Sequence, residues 1–449
     1  MKTYDVVCSL GGAMTTYKFQ LCSLLMILLC LSAVMAGCAQ GPAPDNQTQD
    51  PVQAWMRQNA IPLRSVDPAS PQDDLAPLQK AIGNATIVGL GEQTHGTHEL
   101  YQLKARLTEF LISNMNFRIF VMENSWGKSQ LIDAYINGGP GQLSDIVKND
   151  LSPAWQTQEY QSMLTWMRAY NADPAHTTKI HFRGMDCQAS RNELTAITDF
   201  LQKVDPANVA HVRDLYLSLD QKIADQPQQV YNLLKAHQQS YEQRSSPQEF
   251  ALALQNARVV VQAVTCLDAR RNNAAYLQRD AFMAENASWL YDHAGESQPK
   301  MIVWAHDMHI ANNTSYNLRG ELTGTNNLGA LLRARYHQNY LALGTDVYRG
   351  SYTTYTSSSI NSYKPVQTSL EAPQAGTYTA VFGSVDKPLY ALDLRRTPAG
   401  PVSNWFNSAH VMNYYGVSGE DLSTPGSVKH WFDIIVFLRD TTPSHSLLK

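Results

Sequence analysis

The sequence predicts an α/β protein: a largely parallel central sheet with flanking helices, and a helical insertion acting as a lid. Three observations carry that prediction. Apolar runs of strand length recur along the chain and are mostly continuous rather than alternating, which suits strands covered on both faces. Helical patterns separate them, the order expected of a parallel sheet whose crossovers are helices. From about residue 192 to 292 the pattern is helical throughout, more chain than one crossover needs.

The first residues read as a leader. Leu21–Val34 carries no charge, with Lys18 just upstream and Met35-Ala36-Gly37-Cys38 just downstream. The apolar run is shorter than the roughly 20 residues of a spanning helix. A positive n-region, an apolar core, small residues and then a cysteine resemble a bacterial lipobox, so residues 1–37 read as a signal peptide and Cys38 as the lipidated residue. The polar, Gly- and Pro-containing residues 38–50 read as a tether. The expected location is the bacterial cell envelope, lipid-anchored through Cys38 and facing the periplasm. Cleavage before Cys38 leaves Cys187 and Cys266 as thiols, enough for one disulfide but not for a disulfide framework.

Residues 51–449 read as the α/β domain. Its strand candidates are Ala85–Leu90, Arg118–Met122, Ile180–Met185, Met301–Trp304, Tyr340–Leu343, Ala380–Phe382, Leu389–Leu394 and Phe432–Leu438. Between the first two, Leu100, Leu103, Leu107, Phe110 and Leu111 fall at helical spacing. Lys104 lies on that inward stripe, whereas Arg106 falls off it and is expected in solvent. A buried ammonium is costly without a partner, so Lys104 should reach Glu92, Glu123 or Asp186. In the helical insertion, turns are signalled at Asp205-Pro206, Gln226-Pro227 and Ser246-Pro247.

Composition excludes some functions. The chain has 449 residues, 35 basic against 39 acidic, and a net charge of −4. It therefore offers no polycationic face for nucleic acid. Its 44% hydrophobic content argues against disorder.

Polar residues gather where strands end. Gly91-Glu92-Gln93-Thr94-His95-Gly96 follows the first strand, Glu123-Asn124 the second and Asp186 the third. Ala305-His306-Asp307-Met308-His309 follows the fourth, and Gly344 to Arg349 the fifth. Parallel sheets bind ligands at the carboxyl ends of their strands, so acids, imidazoles and guanidinium converge on one rim. Such a set suits water activation. Glu92, His95, His306 and His309 are the catalytic candidates. Lys104, Glu123, Asp186 and Arg349 are candidates for substrate or oxyanion support. His98 reads as a solvated or capping residue in the first helical turn. No cofactor is expected. The alternative is a divalent metal held by Glu92, His95, His306 and His309.

Other chemistries lack their signatures. No Gly-x-Ser-x-Gly elbow occurs; Glu123-Asn124-Ser125-Trp126-Gly127 lacks the first glycine, which leaves a Ser125 nucleophile as a lesser reading. Thr94 stands where a dinucleotide fingerprint beginning at Gly89 needs glycine, and Gln102 where a zincin motif beginning at His98-Glu99 needs histidine.

Leu90-Gly91-Glu92-Gln93-Thr94-His95-Gly96-Thr97-His98-Glu99 and the helix after it resemble the erythromycin esterase family. So do Arg279-Asp280-Ala281-Phe282-Met283-Ala284-Glu285-Asn286, Val303 to Ile310, Gly344 to Arg349, and Phe432 to Phe437. The resemblance implies hydrolysis of an ester or lactone, macrolide-like or another acyl ester, by water without an acyl-enzyme, between an α/β core and helices. By position it makes His95 the general base, Glu92 the acid preceding it, and His306 and His309 the histidine pair. Lys104 stands where some macrolide-hydrolysing members have Arg, so a bidentate contact there does not carry over. The expected partners are a small-molecule ester or lactone and the membrane, with no nucleic acid. A reading from another class is a lipid-tethered envelope binding protein that performs no chemistry.

Overall fold

Strand-length apolar runs become strands where both faces find cover, and this sheet has cover on both. The computed structural model describes residues 50–188, 191–217, 225–266, 273–313, 317–318, 321–322, 327–359 and 362–448. Residues 1–49, on which the expected leader, Cys38 and the tether fall, lie outside the described residues. Among those described, no helix is long and apolar enough to cross a membrane.

The main sheet is built from β1 (Ile61–Pro62), β2 (Ile87–Leu90), β3 (Ile119–Ser125), β4 (His181–Asp186), β5 (Met301–Trp304), β6 (Tyr340–Ser359), β7 (Ser362–Ser369), β8 (Leu389–Asp393) and β9 (Ile434–Thr441). Their order is β1-β8-β9-β6-β2-β5-β3-β4, and β7 pairs with the far end of β6. From β9 to β4 every pairing is parallel. The strands β8 and β1 add antiparallel to that edge, and β7 adds antiparallel to β6. The predicted largely parallel sheet is therefore observed.

Side-chain alternation explains why the runs read as continuously apolar. Val88, Leu90, Phe120, Met122, Ile302 and Trp304 face one core. Ile87, Ile119, Val121, Met301 and Val303 face the other. With both faces covered, neither set can be polar. The helix His98–Met115 packs Leu100, Leu103, Leu107, Phe110 and Leu111 onto the first core. Each such side chain contributes roughly 1.5–3 kcal/mol when fully buried.

Two sequence expectations fail here. Ala380–Phe382 belongs to a short helix, Tyr378–Phe382, not a strand. The Thr377 hydroxyl accepts the Ala380 N–H at 3.2 Å and starts the helix, and Tyr378 and Phe382 are buried one turn apart. Arg106, expected in solvent, is fully buried. The segment from Ser65 to Asp74 folds over the helix's outer side, where Asp74 at 2.6 Å and the carbonyls of Ser65 and Pro71 receive the guanidinium. Periodicity on one helix could not show that a loop covers its other face.

Between β4 and β5 the described residues are helical: Arg191–Val204, Val209–Leu217, Asp225–Ala236, Gln238–Arg244, Pro247–Cys266 and Asn273–Asp292, with a short 3-10 turn at Pro206–Asn208. Ile197, Leu201, Val230, Leu234 and Phe250 form a core of their own. The last helix instead joins the main core through Met283, Ala287 and Leu290, and Asn286 donates to the Met185 carbonyl on the edge strand β4 at 2.9 Å. Cys187 and Cys266 form a disulfide, tying the end of β4 to the end of helix 247–266. A loop of 79 residues is closed in this way, which by the chain-entropy account limits the unfolded chain by about 4.5 kcal/mol.

Candidate active site

The first strand end sets the site. β2 stops at Leu90, and the loop after it passes so close to the segment after β5 that a Cβ on Gly91 would lie 1.8 Å from Asp307 Oδ1. The Asp307 N–H donates to the Glu92 carbonyl at 2.9 Å, locking the two strand ends together. Gly96 then turns the chain into helix 98–115 with φ +95°, a conformation that favours glycine.

That turn brings Glu92, His95 and Lys104 together. Glu92 is fully buried, and its Oε1 meets His95 Nδ1 at 2.5 Å. Its Oε2 accepts from Lys104 Nζ at 2.8 Å and from the Trp304 indole at 3.0 Å. Of the three partners proposed for Lys104, Glu92 is the one it bonds. The ammonium also lies 4.1 Å from the centre of the Trp304 ring. Burial disfavours the charged carboxylate, but Lys104 and His95 outweigh it and hold Glu92 at about 2. Burial dominates for Lys104 and draws it down to about 8, although Glu92 pulls the other way. His95 keeps 12% of its side chain exposed, and its Nε2 takes no hydrogen bond from the described residues. Trp155 meets its ring edge-on at 5.8 Å.

A second carboxylate organises the neighbouring group. Glu123 Oε1 receives Arg279 at 2.8 Å and His309 Nε2 at 3.2 Å, while its Oε2 accepts the His306 N–H at 3.1 Å. Arg279 also clasps Asp186 with two bonds, at 3.1 and 2.8 Å. His309 Nδ1 meets Asp280 at 2.6 Å. Burial opposes charge on His309, yet Asp280 and Glu123 lift it to about 10, so it is a cation at neutral pH. Burial likewise opposes charge on Glu123, but His309 and Arg279 hold it well below the ordinary carboxylate range.

His306 joins the two groups. Its ring lies 5.1 Å from that of His95. Its Nδ1 accepts the Met308 N–H at 3.2 Å, so the Nε2, 3.0 Å from the Gln93 carbonyl, carries the proton. Burial, with His95 and His309 nearby, pushes its pKa down to about 3, so it is a neutral imidazole with both nitrogens engaged.

Seven of the eight predicted site residues thus form one connected network. Arg349 does not join it: it lies further along β6, where its mostly exposed guanidinium pairs with Asp440. Residue type and strand order pointed to it, but β6 continues well past the rim. Sequence reasoning also passed over Arg279 and Asp280 as site residues because they lie in the helical insertion. The available signal was charge: once Lys104 pairs with Glu92, Glu123 and Asp186 still need a cation, and Arg279 supplies it. His98 is not a cap, and its side chain is only partly solvated. It pairs with Glu159 at 2.5 Å, because the C-terminal tail and helix Gln158–Ala172 cover the turn. Ser125 Oγ is buried without a hydrogen-bond partner, so no base activates it. A cavity of about 700 Å³ beside β4, lined by Asp133, His181, Arg183 and Trp289, includes none of the network.

A buried acid orienting a half-open imidazole at the carboxyl edge of a parallel sheet defines a hydrolase-type site. The chain belongs to the erythromycin esterase family, whose sequence model matches residues 112–441. That span includes Glu123, Asp186, Arg279, His306 and His309, and begins after Glu92, His95 and Lys104. Membership places the chain among hydrolases. It is 25% identical to the Escherichia coli protein named erythromycin esterase type II, over 66% of this chain and 77% of the relative. A crystal structure of a Bacillus cereus protein is 28% identical, covering 88% of this chain and 98% of its own, with a TM-score of 0.78. Another, titled a succinoglycan biosynthesis protein, is 27% identical over 89% of this chain and 99% of its own, with a TM-score of 0.76.

Proposed function

We propose that this protein hydrolyses an ester or lactone with water activated by His95. The observation that carries the reading is the asymmetry of that imidazole: Nδ1 is bound to an ionised Glu92, and Nε2 has no partner among the described residues. With the Nδ1 proton donated to Glu92, Nε2 presents a lone pair. Water attacks the carbonyl carbon as its proton passes to Nε2, and the tetrahedral intermediate expels an alkoxide that takes the proton back. His306 and His309 have their nitrogens engaged, so in this reading they hold the site and its charge rather than meet the oxyanion. Lys104 keeps Glu92 ionised.

The metal alternative has less support. Lys104 and Trp304 occupy one oxygen of Glu92, backbone groups occupy both nitrogens of His306, and two carboxylates bracket His309. The names of relatives support two substrate classes, a macrolide lactone and an acyl ester on a polysaccharide. The lipobox-like leader supports export and attachment through Cys38, with residues 38–50 as the tether. The helices between β4 and β5 are proposed to cover the substrate.

The test is hydrolysis of a panel of macrolides and acylated sugars by the form starting after Cys38, beside His95→Ala. Loss of turnover with the fold retained supports the reading, and unchanged hydrolysis of the true substrate refutes it. Substrate bound by wild type without turnover would favour a binding protein. Labelling by a fluorophosphonate would favour Ser125.

A further inference from the structure

A separate group of ligand-type side chains lies outside the hydrolytic network. His98 is the first residue of helix 98–115, Glu159 sits in the first turn of helix 158–172, and His445 belongs to the C-terminal tail. Backbone bonds fix all three. The His98 N–H donates to Thr442 O at 3.0 Å, the Gln158 N–H to His445 O at 3.0 Å, and the Ser444 N–H to Gly96 O at 2.8 Å. The His445 N–H donates to Glu159 Oε1 at 3.1 Å.

The side chains converge on one point. His98 Nδ1 lies 2.5 Å and His445 Nδ1 3.1 Å from the same oxygen, Glu159 Oε1. The two rings are 4.5 Å apart, and one ligand atom from each of the three residues falls within 4.8 Å of the others. The Glu159 side chain is 3% exposed, and its Oε2 is buried without a hydrogen-bond partner. The His98 and His445 side chains are 21% and 54% exposed, so the group opens to solvent on the imidazole side.

Two imidazoles and one carboxylate with an open side are the donor set of three-ligand zinc sites, in which water takes the fourth position. Calcium and magnesium, which require mostly oxygen ligands, are poorly matched. We propose that His98, Glu159 and His445 bind Zn²⁺, clipping the C-terminal tail to the starts of two helices. His98 opens the helix three residues after His95, just past the Gly96 turn, so the clip would also stiffen the turn that presents the imidazole. The inference does not depend on the hydrolase reading, because no ligand is shared with the Glu92–His95 pair.

The test uses the untagged full chain in detergent, stripped of metal, with Co²⁺ absorption reporting coordination and Zn²⁺ reporting stability. Expected are one Co²⁺ with visible absorption bands and a melting temperature raised by a few degrees with Zn²⁺. His445→Gln and Glu159→Gln should each weaken binding by at least the 10- to 100-fold that loss of an outer partner costs, while His95→Ala binds normally. His445 is half exposed, so its variant should fold, and its metal-free melting temperature checks this. Absence of binding at micromolar metal overturns the proposal. So does equal binding by His445→Gln and wild type, or binding lost in His95→Ala and kept in His445→Gln.

Discussion

The two halves of the polar network are built from the same residue types to opposite ends. Around Glu123, every named group is tied at both ends: Arg279 spans two carboxylates, and His309 is bracketed by Asp280 and Glu123. Around Glu92, Lys104 and Trp304 saturate one oxygen while the other holds an imidazole whose far nitrogen has no partner among the described residues. A saturated network is stiff and chemically quiet, whereas one unpaired nitrogen at an opening is where a proton can move. In the proposed function, the Glu92 half carries the chemistry and the Glu123 half supports it.

The largest way to break it is His95→Ala. Turnover should fall by about 10²–10⁴, the usual worth of a general base, with the fold retained by circular dichroism. A stability loss in place of a rate loss would put His95 on the supporting side.

Next is Lys104→Met, which leaves the Glu92 carboxylate buried beside only its imidazole and indole partners. Breaking a buried ion pair on one side costs about 3–5 kcal/mol, and denaturant unfolding should show a loss of that size.

The two halves should also differ in their response to pH. The pKa of Glu92 is depressed, from 4.5 to about 2, so its stabilisation is complete above 4.5 and is lost as pH falls toward 2. That of His309 is raised, from 6.5 to about 10, so its stabilisation is complete below 6.5 and is lost as pH rises through 10. Lys104, lowered from 10.5 to about 8, acts in the opposite sense between those values. The alkaline effect is therefore read as the difference between wild type and His309→Asn, whose melting temperature should decline less from pH 6.5 to 10. A parallel decline in both would remove His309 from the charged half.

The smallest expected effect is at Arg349. Its ion pair with Asp440 is exposed on both sides, and solvent screens such pairs so that they contribute little. Arg349→Ala should leave kcat/KM unchanged; a loss of tenfold or more would return it to the site.

Much of the site was legible because strand ends are legible. Continuous apolar runs locate β2, β3, β4 and β5, and their following residues include Glu92, His95, Glu123, Asp186, His306 and His309. Lys104 was legible from its place on an apolar stripe. Arg279 and Asp280 were not, since nothing in a helix's sequence tells which distant carboxylate it will meet. Arg106 was misread and the Glu159 partner of His98 was missed for the same reason, because the covering groups come from segments far along the chain.

By itself, then, the sequence determined the parallel sheet, the strand ends that carry acids and imidazoles, and the need to neutralise Lys104. Those properties follow from side-chain period and from the cost of isolated charge. Tertiary structure decided which charges meet. It paired Arg279 with Glu123 and Asp186, removed Arg349 from the rim, and gathered His98, Glu159 and His445 beneath the tail. Partners chosen across long separations depend on how elements pack in space, and no local pattern encodes that choice.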